Sequence, residues 1–422
     1  MDQGAKRIRT SMYFGLMRLV TVLPFAVLVG VSGCGAGSGT VVPPPVVNPA
    51  VSFAYVTVMA TSAGGVGVGA VYEYAVLSDG SVSPLAQVSV SAGVGPAAVV
   101  LANRHAYVVN VGDGTVSQYN VEADNSLAPM NPPAVINPGM KTLGVMPSAV
   151  IVDPTGSFLY VANSGDDTLS QFSIGSAGQL TPLTPATVPA GTEPVSIAAT
   201  VGPGGGHVYV TNSGGAVPAG VGSVSQFSMG ADGTLTPLNP ATVPAGASPV
   251  AIAIDQAIAP FGTAFVMSDC DGSLCTGSIT QFAVGAGGEL TATGVVATTG
   301  DHYDAVGMVT DPSGANAYVL TNLMGVDTDN GALWQFSVGH TGALSTANQP
   351  TLSIGTAALA QTLFDNRLCV LTSNVGIGGN ASSGGSINCY TLGAGGLPTL
   401  AASTTLAAAH PVSMAMLFLF PP

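Results

Sequence analysis

Charge is what this sequence has least of. Its 422 residues include 7 Lys or Arg and 21 Asp or Glu, 7% in all, where an ordinary soluble domain carries roughly 25%. Cationic charge is scarcer still, and a formal net charge of −14 excludes the basic surface that nucleic-acid binding needs. Disorder requires low hydrophobicity and dense charge, and a 47% hydrophobic content is the reverse. Good helix formers are thinly spread, and no segment of useful length has a 3.6-residue period, so a helical bundle is excluded. There is one tryptophan, Trp334, and there are five cysteines. What is abundant is Gly (57), Pro (30), Val, Thr and Ser, the vocabulary of short strands and tight turns.

The N-terminus reads as an export signal over residues 1–33. Lys6, Arg7, Arg9 and Arg18 precede an apolar run, Leu19 to Val31, too short to span a bilayer comfortably. It ends Val31-Ser32-Gly33-Cys34, which resembles a bacterial lipobox. The resemblance implies cleavage before Cys34 and acylation of its thiol, which would place the protein on the lipid bilayer of the envelope. Gly35 follows, where such lipoproteins carry Asp for inner-membrane retention, so the outer membrane is the favoured location. Residues 34–50 are then the lipidated Cys and a Gly/Pro-rich tether, and residues 51–422 the folded domain. Cleavage would leave three basic residues, Arg104, Lys141 and Arg367, beside twenty acids, a net charge of −17.

Internal repetition dominates the rest. One aromatic recurs as Tyr74, Tyr119, Phe172, Phe227, Phe282, Phe336 and Tyr390, at intervals of 45, 53, 55, 55, 54 and 54 residues. Tyr55, Tyr107, Tyr160, Tyr209, Phe265, Tyr318 and Cys369 mark a second position, each followed by Val. A short apolar strand, usually opened by Pro (Pro96, Pro147, Pro194, Pro249, Pro411), marks a third; Asp304 and Thr356 take the Pro position in the other two repeats. Each repeat reads as four strands, exemplified by A (194–199), B (209–212), C (223–229) and D (234–238). Seven such units predict an all-β, seven-bladed propeller of four antiparallel strands per blade. The first repeat lacks strand A and the C-terminus carries one to spare, 411–417, so the ring is expected to close by pairing that strand into the first blade. Blades buried on both faces need little charge, and the acids are expected in loops. Pro84, Pro129, Pro182, Pro237 and Pro398 fall in strand D and would protect an exposed outer edge.

Tyr-Val-x-Asn at Tyr107–Asn110, Tyr160–Asn163 and Tyr209–Asn212, with Asp-Pro-x-Gly at Asp153 and Asp311, resembles the YVTN-repeat and lactonase-like seven-bladed propellers. The resemblance covers about residues 51–420. It implies the fold; it also allows a lactonase or cyclase-like hydrolase related to the 6-phosphogluconolactonase propellers, acting at the central channel mouth.

Four cysteines remain after Cys34. In the repeat register Cys369 and Cys389 face each other across a B–C hairpin, within disulfide reach. Cys270 and Cys275 flank the tip of another. Both bonds are expected. No His accompanies either pair, so no metal site is predicted, and no cofactor.

For chemistry, the face carrying D–A and B–C loops is the ligand face. Its D–A loops hold Glu193, the run Asp301-His302-Tyr303-Asp304, and His410; its B–C loops hold Asp166, Asp167, Asp269, Asp271, Asp327 and Asp329. Asp301, His302, Asp304, His410 and Glu193 are the candidate acid–base residues, each weighed against a plain solvated loop. Arg104, Arg367, His105 and His207 fall in A–B turns on the opposite face, leaving Lys141 as the one cation able to reach ligand. The propeller lactonases combine His, Arg and Glu to hold an anionic substrate and an oxyanion, and that set does not carry over. The sequence therefore favours a non-catalytic binding or scaffold protein whose ligand is a protein, glycan or small molecule, with a neutral lactone handled by His302 or His410 and Glu193 as the alternative. A closed ring has no edge that obliges assembly, so a monomer is expected. Trp334 reads as blade packing, and Gly65–Ala70 as a loop without a dinucleotide-binding helix.

Overall fold

The computed structural model describes residues 49–62, 65–138, 147–202, 205–214, 221–257, 261–269, 276–301, 303–323, 331–340, 342–345, 352–354, 357–364, 366–373, 384–406 and 410–418. Seven four-stranded antiparallel sheets follow one another as blades. Blade one is Pro411–Phe418, Ala50–Val58, Val68–Leu77 and Val82–Val94, from the inner strand A to the outer strand D. Blade two is Pro96–Ala102, His105–Asn110, Thr115–Val121 and Leu127–Ile136; blade three is Pro147–Val152, Phe158–Asn163, Thr168–Ile174 and Leu180–Pro189. Blade four is Pro194–Gly202, Gly205–Asn212, Val221–Met229 and Leu235–Ala247; blade five is Pro249–Asp255, Thr263–Ser268, Thr276–Val284 and Leu290–Asp301. Blade six is Tyr303–Thr310, Asn316–Leu323, Gly331–Ser337 and Leu352–Ser353; blade seven is Ala357–Phe364, Arg367–Ser373, Gly385–Leu392 and Pro398–Thr405. The C-terminal strand pairs with Ala50–Val58 as expected, Met414 opposite Val56 and Ala415 opposite Tyr55. No helix among the described residues is long and apolar enough to cross a membrane.

The strands run longer than the sequence marks suggest. In blade four strand A extends to Gly202 and strand D to Ala247. Outward positions of strand D are exposed Thr, Pro and Asn while Leu235 turns inward, so apolar periodicity marks only its first residues. The strand-D prolines are not all equivalent. Pro84, Pro129, Pro182 and Pro237 lie opposite the strand-C aromatic, whereas Pro398 opens its strand opposite Leu392, two residues beyond Tyr390. In blade six the described part of strand D is two residues, with one further bridge, Val338 to Leu344.

The buried apolar residues fall into clusters that each straddle two neighbouring blades. One joins Ile151 and Tyr160 of blade three to Ile197, Val208 and Phe227 of blade four; another joins Cys369 and Ile387 of blade seven to Ala54 and Met414 of blade one. The core is therefore a set of seams, one between each successive pair of blades, and burial there is the main stabilising term.

Polar latches fix the register of those seams. The repeated strand-B position lies directly opposite the repeated residue before the strand-C aromatic: Tyr107 with Gln118, Tyr160 with Gln171, Tyr209 with Gln226. Both reach into the next blade. The hydroxyls of Tyr107, Tyr160, Tyr209 and Tyr318 donate to the carbonyls of Gly178, Gly233, Gly288 and Gly396 at 2.6–2.7 Å. The side-chain carbonyls of Gln118, Gln171 and Gln226 accept from the N–H groups of Leu180, Leu235 and Leu290, the first residues of the next strand D, at 2.7–2.8 Å. The turn glycines have φ of +85° (Gly178), +81° (Gly233) and +88° (Gly288), the left-handed region open to glycine at little cost. His105, Phe158 and His207, two residues before each Tyr, lie where a Cβ on those glycines would stand.

Blade seven departs from this scheme. Cys369 and Cys389 replace the Tyr and Gln, sit opposite each other, and are bonded as expected, with Cα atoms 4.1 Å apart. The seam to blade one is held by other groups: Val82 N–H donates to Thr404 Oγ1 at 3.1 Å, and the Arg367 guanidinium to the Ser78 carbonyl. The blade whose sequence gives up its latches thus abuts the blade completed by the C-terminal strand.

Candidate functional site

The face carrying D–A and B–C loops is built by a repeated crossover. The residue before strand A is left-handed in every blade where it is described and precedes Pro: Gly95 (φ +63°), Glu193 (+51°), Ser248 (+42°) and His410 (+57°). That conformation is uncommon for residues other than glycine. Its cause is visible in the hydrogen bonds. The carbonyls of these four residues accept the N–H groups of Val111, Ser213, Asp269 and Met59, each just past the end of a strand B. The Asn of Tyr-Val-x-Asn serves the same crossover: Asn110 Oδ1 accepts from Gly93 N–H, and Asn212 Oδ1 from Gly191 N–H, both at 3.1 Å. The motif is structural at both ends, its Tyr latching the next blade and its Asn pinning the loop.

The candidate residues distribute over this frame. Glu193 and His410 occupy the same repeat position, before strand A of blades four and one. Glu193 N–H donates to Asp167 Oδ1 at 2.7 Å, and Ser213 Oγ donates to Glu193 Oε2 at 3.0 Å. Asp269 Oδ1 accepts from Ala305 N–H at 3.3 Å, and Asp113 Oδ2 from Val94 N–H at 2.7 Å. Asp113, Asp167, Glu193 and Asp269 therefore act as pins for the crossovers, whereas Asp166 Oδ2 is buried without a hydrogen-bond partner. Asp301 and Asp304 are not in a long loop: Asp301 ends strand D of blade five opposite Thr276, and Asp304 belongs to strand A of blade six opposite Asn322. The sequence looked looser there because no Pro marks the strand start. His302, Lys141, Asp271, Asp327, Asp329, Cys270, Cys275 and Cys34 lie outside the described residues.

Each inner strand carries a bulge near its start, visible as a register shift in all seven blades: one residue in where Pro opens the strand, and at Val306 and Leu359 in blades six and seven. In four of them the extra residue is half-buried between two buried neighbours: Val195, Val306, Leu359 and Val412. Val306 and Leu359 pack against the cores of the seams beside them. Ala97, Ser148 and Val250 hold the other three positions and are buried. None of the seven positions carries a charged residue.

Among the described residues the cations are Arg104, in an A–B turn, and Arg367, which opens strand B of blade seven beside such a turn; both lie on the opposite face, as the sequence placed them. Arg104 donates to the Glu122 carbonyl and, at 3.4 Å, to Asn125 Oδ1. His105 and His207 share that face; burial lowers both imidazoles below their ordinary value, opposed in His105 by its contact with Asn120 and in His207 by Gly287 and Glu289. Trp334 is buried, packs edge-on against Tyr303 at 5.2 Å, and donates to Thr321 Oγ1 at 3.0 Å. Among the described residues no three His, Cys, Asp or Glu side chains gather as a metal group.

Asp255, Asp301 and Asp304 lie at or near strand ends, but Glu73 departs furthest from the expectation that acids collect in loops: it is fully buried within strand C of blade one. Aligning the repeats reveals it, because Glu73 stands where blades two to six have Gln.

These features define a seven-bladed β-propeller. Residues 62–200 match the model of the family described as Lactonase, 7-bladed beta-propeller. Among solved structures, a candidate 6-phosphogluconolactonase from Bacteroides fragilis aligns over 87% of this chain and 98% of its own, at 16% identity and a TM-score of 0.62. A second candidate 6-phosphogluconolactonase, from Bacteroides uniformis, aligns over 87% of this chain and all of its own, at 16% identity and 0.61. The periplasmic gluconolactonase PpgL of Pseudomonas aeruginosa aligns over 86% of this chain and 99% of its own, at 15% identity and 0.59. At these identities the likeness is one of fold. No curated protein matches the chain by sequence.

Proposed function

We propose that this protein is a lipid-anchored envelope propeller that binds its ligand on the D–A/B–C loop face without catalysing a reaction. The observation that carries this reading is the division of charge between the faces. Both described arginines hold turns on the far face, while on the ligand face Asp167 and Glu193 are already committed to a crossover and the strand-A bulges carry no charge. An anionic sugar phosphate meeting that face finds neither a guanidinium fork nor a favourable field. The anchor is Cys34, and the outer membrane is the proposed site. Labelling of the wild type but not Cys34→Ser by a radioactive fatty acid tests the anchor. Ligand capture that survives Thr181→Lys on the outer edge but is lost in Val412→Asn or Glu193→Gln tests the face; equal capture by all three rejects it.

The second reading is hydrolysis of a neutral lactone. It is favoured by the family match and by His410, which brings an imidazole to the loop face at the entry to blade one.

A further inference from the structure

We propose that Glu73 makes the seam between blades one and two a proton-sensitive latch, the seam through which the ring loosens as pH rises. The repeat itself supplies the argument. At this register position blades two to six carry Gln118, Gln171, Gln226, Gln281 and Gln335. A Gln there is uncharged at every pH. In blades two to four its carbonyl takes the N–H of the next blade's strand D, and its amide donates to its own strand D, at the carbonyls of Pro132, Pro185 and Pro240. Blade one exchanges these roles. Glu73 Oε2 accepts from Leu127 N–H of blade two at 3.2 Å, so the seam contact is kept. The donor has moved across to strand D: Gln87, fourteen residues on like those prolines, donates through Nε2 to Glu73 Oε1 at 3.2 Å and to the Leu127 carbonyl at 2.9 Å. The latch is thus rebuilt around a carboxyl group with no exposed surface.

A buried carboxyl cannot satisfy both protonation states equally. Ionised, it accepts two N–H groups but gives up hydration. Loss of water dominates and raises the carboxyl to about 7, against the lowering effect of Gln87 and Leu127. The other ionisable groups around it do not reverse this. Tyr55, directly opposite on strand B, is buried, donates to the Asn125 carbonyl and is itself raised by burial. Tyr72 shares strand C. From blade two, Asp124 opposes ionisation weakly and is held below the usual carboxylate range by Ser126. Glu122 gives its carbonyl to Arg104, whose guanidinium is also shared with Asn125. Strand D of blade one contributes Gln87 and no ionisable side chain.

Because the closed-state value lies above the open-state one, the latch holds fully at acidic pH and weakens as pH rises through 7, by up to about two orders of magnitude in the opening equilibrium. The molecule carries its own controls, since Leu180 and Leu235 make the same contact to Gln118 and Gln171. Hydrogen exchange of the full chain, corrected for intrinsic rates, should show Leu127 opening tens-fold more readily relative to Leu235 at pH 8 than at pH 5. A ratio constant across that range overturns the proposal. In Glu73→Gln the ratio should become flat; a pH-dependent ratio that persists in the variant also overturns it. Should Glu73→Gln fail to fold, the wild-type comparison decides.

Discussion

The latches predict an asymmetry between two tyrosines of similar burial. Tyr160 donates its hydroxyl to Gly233 of the next blade at 2.6 Å. Tyr74, also buried, has a hydroxyl without a hydrogen-bond partner. Removing the Tyr160 hydroxyl deletes a buried neutral bond, worth about 1 kcal/mol net, and orphans the Gly233 carbonyl, for a total loss of about 1–2 kcal/mol. Removing the Tyr74 hydroxyl deletes a desolvated group that gains nothing in the folded state, so Tyr74→Phe should be neutral or slightly stabilising. Phe265 shows that a seam tolerates Phe at the latch position, so Tyr160→Phe should fold. The assay is urea unfolding, comparing midpoints at constant slope. A lower midpoint for Tyr160→Phe with an unchanged or higher one for Tyr74→Phe is expected. Equal losses in both would show that the effect is packing and that the seam hydroxyls are not latches.

Three further outcomes follow from the same geometry. Gly233→Ala should cost more than 1 kcal/mol, because φ is +81° and the added Cβ meets the Phe158 ring; Gly205→Ala, at φ +105° but with open space around it, isolates the backbone share in thermal unfolding. Alkylation without reductant should leave Cys369 and Cys389 unmodified, and replacing both with Ala should cost roughly 3 kcal/mol in denaturant, the closure entropy of a loop this size. Burial holds His105 and His207 below the ordinary imidazole value, so the unfolded chain binds more protons; their contribution is present above about pH 6.5 and is lost as pH falls below it. His207→Asn should flatten that acid limb in a series of unfolding midpoints.

Most of the architecture was legible in the sequence because a propeller writes each blade separately. The Tyr and aromatic marks located strands B and C, and counting strand A to the end of the chain located the closure. The Cys369–Cys389 bond followed from register, since those positions replace a Tyr and a Gln that face each other in other blades. Strand D was less legible: its outward residues answer to solvent, and Thr and Pro there look like loop. The roles of the motif residues were hidden as well. Nothing local in Tyr-Val-x-Asn says that its hydroxyl is spent on the next blade, because the acceptor, a turn glycine, lies about seventy residues on. The acids of the ligand face read as candidate catalysts from their chemistry alone; their partners, Glu193 with Ser213 and Asp167 with the Glu193 amide, are set by crossovers. Glu73 was hidden for a different reason: a single Glu in a strand carries no signal until the repeats are aligned.

Binding without catalysis on the loop face is checked by incubating purified protein with neutral and phosphorylated sugar lactones and following acid release at constant pH. Release should be no faster than the uncatalysed rate for wild type, His410→Ala and Glu193→Gln alike. Saturable hydrolysis by the wild type that falls at least 100-fold in either variant, the scale expected for losing a catalytic acid, base or oxyanion donor, would contradict it.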